Sequence, residues 1–297
     1  MSVATAVGLG PLQVHMDDAD VHEIMVVDGG RVFVEGTRGI RAVEPITADQ
    51  TALVIERITR FSGRRVDVMS PVADVHLPDG SRACVVLPPV AVDGATISIR
   101  KFSPSALPLS AFTDEQGARI LRQHVAARRN IVVCGATSSG KTSLLGTLVR
   151  RVPARERLVI IEDTTELRLD HPHMVRLQTR PANVDGAGEV TARHLVRTSM
   201  RLRPDRIVVG EVRGGEVIDM LLALTSGHDG CMTTVHARSV TDALERLVTL
   251  ALRDNSQFPH QVLRDLVHRA VDVVVHVERA HDGSRRIVDM RHLTDSD

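Results

Sequence analysis

Gly135, Gly140, Lys141 and Thr142 stand in the spacing G-x-x-x-x-G-K-[ST], with Ala136, Thr137, Ser138 and Ser139 between the glycines and Ser143 following. Those residue types at that spacing suit one chemistry, the cradling of a polyphosphate. Glycines permit the turn, backbone N–H groups converge on the anion, the lysine reaches the β- and γ-phosphates, and the threonine hydroxyl ligates Mg²⁺. A glycine-rich surface turn could carry the same letters. Context decides between the two readings, because an apolar run (Ile131, Val132, Val133, Cys134) precedes the loop and Leu144, Leu145, Leu148 and Val149 follow it at helical spacing. Strand, loop and helix come in the order a phosphate site needs.

Three further clusters follow at the ends of apolar runs, where ligands gather on open α/β sheets. In the first, Ile161 to Glu166, a carboxylate could orient or deprotonate an attacking water. The second, Ile207-Val208-Val209-Gly210-Glu211, ends three β-branched residues with an acid, as a strand that presents a carboxylate to a metal-bound water would. His228 and His236, eight residues apart, flank the strand of the third. With no third or fourth ligand at a suitable spacing, they read as a phosphate sensor or a subunit contact rather than a zinc site. Arg100 closes an alternating strand, sharing the polar face with Thr96 and Ser98 while Ile97 and Ile99 face the other way.

The elements that must position these groups divide into two domains, as 297 residues lead one to expect. Residues 1–103 form a smaller α+β domain with hairpins about Asp28-Gly29-Gly30 and Asp79-Gly80. Between the hairpins lies a helix carrying Val54, Ile58 and Phe61 and stopped by Gly63. Residues 104–110 read as a linker, rich in serine and proline, and 111–297 as an α/β domain in which strands and helices alternate. Ser110 is the expected cap of the first helix there, and a later helix is expected over Glu189–Arg201. Lysine plus arginine balance aspartate plus glutamate at 37 each, so no global field draws nucleic acid to the chain, and there is no Trp or Tyr to stack on bases. Three scattered cysteines argue against a disulfide framework and for a reducing compartment. No apolar run reaches 18 residues, so contact with a membrane is expected through a partner.

Taken together, the boxes at Gly135–Thr142, Ile161–Glu166, Met200–Gly214 and Gly227–Ala237 resemble the Walker A, Asp, Walker B and His boxes of the secretion and type IV pilus ATPases. The N-terminal segments Glu23–Val27, Ser70–Asp74, Leu77–Arg82, Leu87–Pro89 and Ser98–Phe102 are most similar to the CpaF-type ATPases of tight-adherence (Tad/Flp) pili. The resemblance implies a RecA-like P-loop ATPase domain behind a PAS-like N-domain, and a cytoplasmic ring, usually a hexamer, that works on a platform protein at the inner membrane face. ATP and Mg²⁺ are the implied ligands. It assigns Arg82 and Arg100 as arginines that complete a site shared with a neighbour, Glu166 as general base supported by Glu162, and Glu211 as the Walker B acid. Arg213 would bridge to the phosphates, and His228 and His236 fall on the His box.

Departures from the family pattern are few. Ser138-Ser139 stands where one glycine is frequent, so Ser139 is expected to accept the loop's backbone angles; Cys134 replaces a common glycine as a buried strand end. The long N-terminal extension of many relatives and a four-cysteine zinc module are both expected to be missing. A nucleic-acid-translocating RecA-like motor is the alternative reading, and a small-molecule kinase lacks a recognisable acceptor lid.

Overall fold

The computed structural model describes residues 8–36, 38–60, 66–102, 107–167, 169–182, 186–253, 258–280 and 282–293. Two compact units divide the chain, Met1–Pro104 and Ser105–Asp297.

After α1 (Gln13–Asp17), the first unit is an antiparallel sheet built from β1 (Val21–Val27), β2 (Arg31–Gly36), β3 (Gly39–Ala42), β4 (Val72–His76), β5 (Arg82–Val86) and β6 (Thr96–Arg100). The strand order is β3-β2-β1-β6-β5-β4. Asp28 and Gly29 both have positive φ, 52° and 74°, the twist that suits a tight turn between β1 and β2. Helix α2 (Ala48–Arg60) opens with a capping box in which Thr47 Oγ1 accepts from Gln50 N and Gln50 Oε1 accepts from Thr47 N. Its Val54 and Ile58 are buried with Ile24, Val26, Val85, Ile97 and Ile99 of the sheet. Phe61 and Gly63, the expected end of that helix, lie outside the described residues. On the opposite face the register sets His76, Arg82, Arg100, Glu23 and Glu35 in a row across five strands.

The second unit is a seven-stranded sheet covered on both faces. Its strands are β7 (Ile131–Gly135), β8 (Leu158–Glu162), β9 (Met174–Gln178), β10 (Arg206–Val209), β11 (Met232–His236), β12 (Val273–Arg279) and β13 (Arg285–His292). They lie in the order β13-β12-β7-β11-β10-β8-β9, all parallel except β13 at one edge. β7, β8 and β10 are buried along their whole length, as apolar β-branched runs between two helical layers should be. Alternate residues serve the two layers. Ile131 and Val133 pack with α3 (Glu115–Ala126) and α4 (Lys141–Val149), whereas Val132 and Cys134 pack with α5 (Ala192–Ser199), α6 (Glu216–Thr225), α7 (Val240–Arg253) and α8 (His260–Ala270).

Local expectations fail in two places for identifiable reasons. Asp114, not Ser110, caps α3 by accepting from Gly117 N, while Ser110 lies in a 3₁₀ turn that buries Leu109. Thr191 caps α5, because Val190 is already paired with Arg180 in an extended bridge. Within the segment expected as linker, residues 103–106 lie outside the described residues, and Leu107 O accepts from the buried Thr147 Oγ1. At the N-terminal edge of the sheet Asn130 joins three strands. Its Oδ1 accepts from Gly230 N and Cys231 N, and its Nδ2 donates to Ala270 O. Nearby, fully buried Arg206 pairs with Glu156 at 2.6 Å.

Candidate nucleotide-binding site

The C-terminal edge of this sheet carries the loop from Gly135 to Thr142. Ala136, Thr137 and Ser138 are exposed, Ser139 and Lys141 are buried, and Gly140 N-caps α4 with φ +103°. The positive φ favours glycine at this position, and a β-carbon there would also push the Arg285 side chain aside. Ser138, with φ +61°, takes the left-handed angle that had been expected of Ser139. Ser139 is instead buried beneath the loop, and its hydroxyl has no hydrogen-bond partner among the described residues. Thr142 and Ser143 open α4, half-buried.

Lys141 Nζ donates to Ala136 O at 2.9 Å and lies 3.4 Å from His236 Nδ1. His236 Nε2 lies 2.8 Å from Glu211 Oε1. One tautomer, neutral with its proton on Nε2, satisfies both contacts: the ring donates to the carboxylate and accepts from the ammonium. Burial holds His236 below its ordinary value; Glu211 pulls the other way, and Lys141 and Arg213 push it down again. Arg213 also grips Glu211, and its Nη1 approaches Asp163 at 3.5 Å. All four boxes thus meet in one chain of contacts running from Lys141 through His236, Glu211 and Arg213 to Asp163.

Glu162 and Glu166 divide their work. Glu162 is buried, and its Oε1 accepts from Glu166 N at 2.9 Å and Leu167 N at 2.8 Å. Burial raises its pKa, and those two N–H groups oppose the rise by favouring the charged form. Glu162 therefore shapes the turn, and Glu166 is left exposed at its surface. The fit extends to the next strand, where a β-carbon on Gly210 would come 3.1 Å from Glu162 Cγ.

His228 is not brought into this group. It precedes β11, whereas His236 ends it; the five residues of that strand alone span about 17 Å at some 3.3 Å each. Its Nδ1 is buried with no hydrogen-bond partner among the described residues. Arg82 and Arg100 belong to the first unit, where they are cross-strand neighbours on the polar face, with Glu23 paired across from Arg100 on the other side. Like charges side by side on a sheet cost stability.

Sequence reading missed several parts of the site. Glu216 is buried, and its Oε1 accepts from Arg213 N and Gly214 N, fixing the turn after Glu211. Thr234, fully buried, donates to Gly210 O. Val277 O and Arg285, from β12 and β13, form a wall against Gly135 and Gly140. A short acidic turn gives a sequence signal for Glu216; nothing local gives one for the wall. Among the described residues no group of three or more His, Cys, Asp or Glu could hold a metal by itself. Thr142 and Glu211 offer the hard oxygen donors that suit Mg²⁺ beside phosphate oxygens, and the glycine cradle with Lys141 fits a polyphosphate.

A parallel sheet buried on both faces, with a phosphate loop on one strand and acids and a histidine on the strands beside it, defines an ATP hydrolase of the P-loop class. The sequence profile of the type II/IV secretion system protein family matches residues 5–291, and the chain belongs to that family. It is 37% identical over 299 residues to a putative conjugal transfer protein of Mycobacterium tuberculosis, spanning 96% of this chain and 84% of that one. The VirB11 ATPase of the Brucella suis type IV secretion system, solved in complex with sulphate, shares 32% identity and a TM-score of 0.54 over 97% of this chain and 95% of its own. The ATPase DotB of Legionella pneumophila superposes with a TM-score of 0.68 over 98% of this chain and 82% of its own; at 18% identity it speaks for the fold alone. The profile match is to the family as a whole, of which the tight-adherence ATPases are a finer division. Among the described residues no helix is long and apolar enough to cross a membrane.

Proposed function

We propose that the chain is one subunit of a ring-forming, Mg²⁺-dependent ATPase motor that powers pilus assembly or protein export from the cytoplasmic face of the cell membrane. The observation that carries this reading is the chain of contacts from Lys141 through His236 to Glu211, which ties the phosphate loop to the ends of two neighbouring strands. Binding of a polyphosphate would draw Lys141 from Ala136 O toward the β- and γ-phosphates, and the change would reach Glu211 through one imidazole. Thr142 and Glu211 would organise the Mg²⁺, whose charge neutralises the β,γ-oxygens when bound. Glu166 orients or deprotonates the attacking water from the turn that Glu162 holds, and Arg213 answers the phosphates from beside Glu211. Arg82 and Arg100 act on a neighbour's site, neutralising charge as the γ-phosphoryl leaves. His228 serves a subunit contact, since it stands away from His236.

In this reading residues 1–103, the linker 104–110 and residues 111–297 are the moving parts, and release of phosphate lets the arginine-bearing domain swing. Within the family we place the chain with the tight-adherence pilus motors. The N-terminal segments Ser70–Asp74 and Leu77–Arg82 support that placement, and an integral membrane platform protein is the expected partner. Native mass measurement with and without ATP, coupled to phosphate release, tests the proposal. It requires an assembly of about six chains that hydrolyses ATP, and Lys141→Ala chains that release no phosphate. A monomer whose turnover depends on single-stranded DNA would overturn it.

A further inference from the structure

The hairpin of β12 and β13 has been given no part in the reaction, yet it leans on the phosphate loop at both ends. Val277 O would lie 2.3 Å from a β-carbon on Gly135, and the Arg285 side chain crosses directly over Gly140, with Nε 3.1 Å from where a β-carbon would stand. Among the described residues no acid holds Arg285 there. Its Nε is buried with no hydrogen-bond partner among the described residues. Directly across the hairpin stands another arginine, Arg279, and like charges at facing positions repel. Burial lowers the pKa of Arg285 and Arg279 lowers it further, with no carboxylate acting in the other direction.

A guanidinium that is half-buried, set against a like charge and laid on a glycine of a phosphate cradle is in a costly place for a structural side chain. An anion on that glycine would relieve it. A buried cation without a counterion costs free energy, and a guanidinium matches phosphate oxygens in planar, forked geometry. We propose that Arg285 is a phosphate ligand of this site, contacting the diphosphate portion common to ATP and ADP, so that the C-terminal hairpin closes the P-loop from the side away from Glu211. This rests on the reading of the loop as the ATP site. It makes the hairpin responsive to any bound nucleotide, as Lys141 is through the β-phosphate, whereas Glu166 answers to the γ-phosphate.

The test measures binding of a fluorescent ADP analogue and its displacement by inorganic pyrophosphate, together with nucleotide-free melting. Arg285→Gln should weaken both ADP and pyrophosphate about 10- to 100-fold, the range of a charge-assisted hydrogen bond. Its nucleotide-free melting temperature should be equal to or above that of the unmodified chain. Arg285→Lys should recover part of the affinity, and Arg286→Gln, an exposed neighbour, should bind normally. Loss of ADP affinity with pyrophosphate unaffected would place the contact on base or ribose and overturn the proposal. Unchanged affinity, or a lower melting temperature with normal affinity, would overturn it as well. Lys141→Ala separates the two readings. If that variant also binds ADP normally, the ATP site itself is wrong; if it fails to bind while Arg285→Gln binds fully, only the role of Arg285 falls.

Discussion

Lys141 and Glu162 are both buried charged residues, and each is satisfied by backbone: Lys141 by the carbonyl of Ala136, Glu162 by the amides of Glu166 and Leu167. The proposed reaction asks Lys141 to leave its carbonyl for phosphate and Glu162 to keep its amides. Glu162→Ala removes two charge-assisted bonds from the turn that presents Glu166. Turnover should fall about 10- to 100-fold with ADP affinity near normal, measured by phosphate release and nucleotide titration, and Glu162→Gln should retain part of the rate. The cysteines give a second check at this scale. Burial pushes the thiols of Cys134 and Cys231 up to about 12, so they stay protonated and unreactive near neutral pH. A thiol reagent should modify Cys84 slowly in the folded chain and all three only after denaturation. The lysine, the threonine and the acids were legible because spacing along the chain fixes them. Ser138, not Ser139, carries the left-handed angle, since two small residues side by side do not reveal which one will take it. Arg285 was illegible, because its contact with Gly140 exists only once β12 has paired with β7.

At the scale of elements, the second unit was readable wherever a strand is buried on both faces. Apolar β-branched runs such as Ile131–Cys134 and Ile207–Val209 have no other stable use. Helix starts were less readable. Ser110 and Asp114 are both sound caps, and the choice between them depends on Leu109 and Phe112 packing as a 3₁₀ turn against the core. Neither the Asn130 junction nor the Arg206–Glu156 pair at the opposite edge of the sheet could be foreseen, because each joins residues far apart in sequence. These contacts hold strand register at the edge away from the chemistry. Glu156→Ala leaves Arg206 buried without its acid and should cost about 3–5 kcal/mol in urea unfolding. Nucleotide affinity extrapolated to the folded fraction should change little, because β10 presents Glu211 from its far end.

For the molecule as a whole, the order of boxes along the chain becomes a spatial arrangement through strand order. β7, β11, β10 and β8 lie side by side, so the phosphate loop, His236, Glu211 and Glu162 share one edge although β8 follows β7 in sequence. Arg82 and Arg100 are cross-strand partners in the other unit. The family was readable because four boxes and an N-terminal domain coincide; which neighbour a surface arginine serves depends on assembly. The claim that the site is shared between chains is tested most directly by mixing two inactive proteins, Lys141→Ala and the double variant Arg82→Ala with Arg100→Ala, and measuring phosphate release. The account predicts that the mixture regains turnover, because an intact P-loop from one chain meets intact arginines from the next. A mixture no more active than the sum of its two components would contradict it.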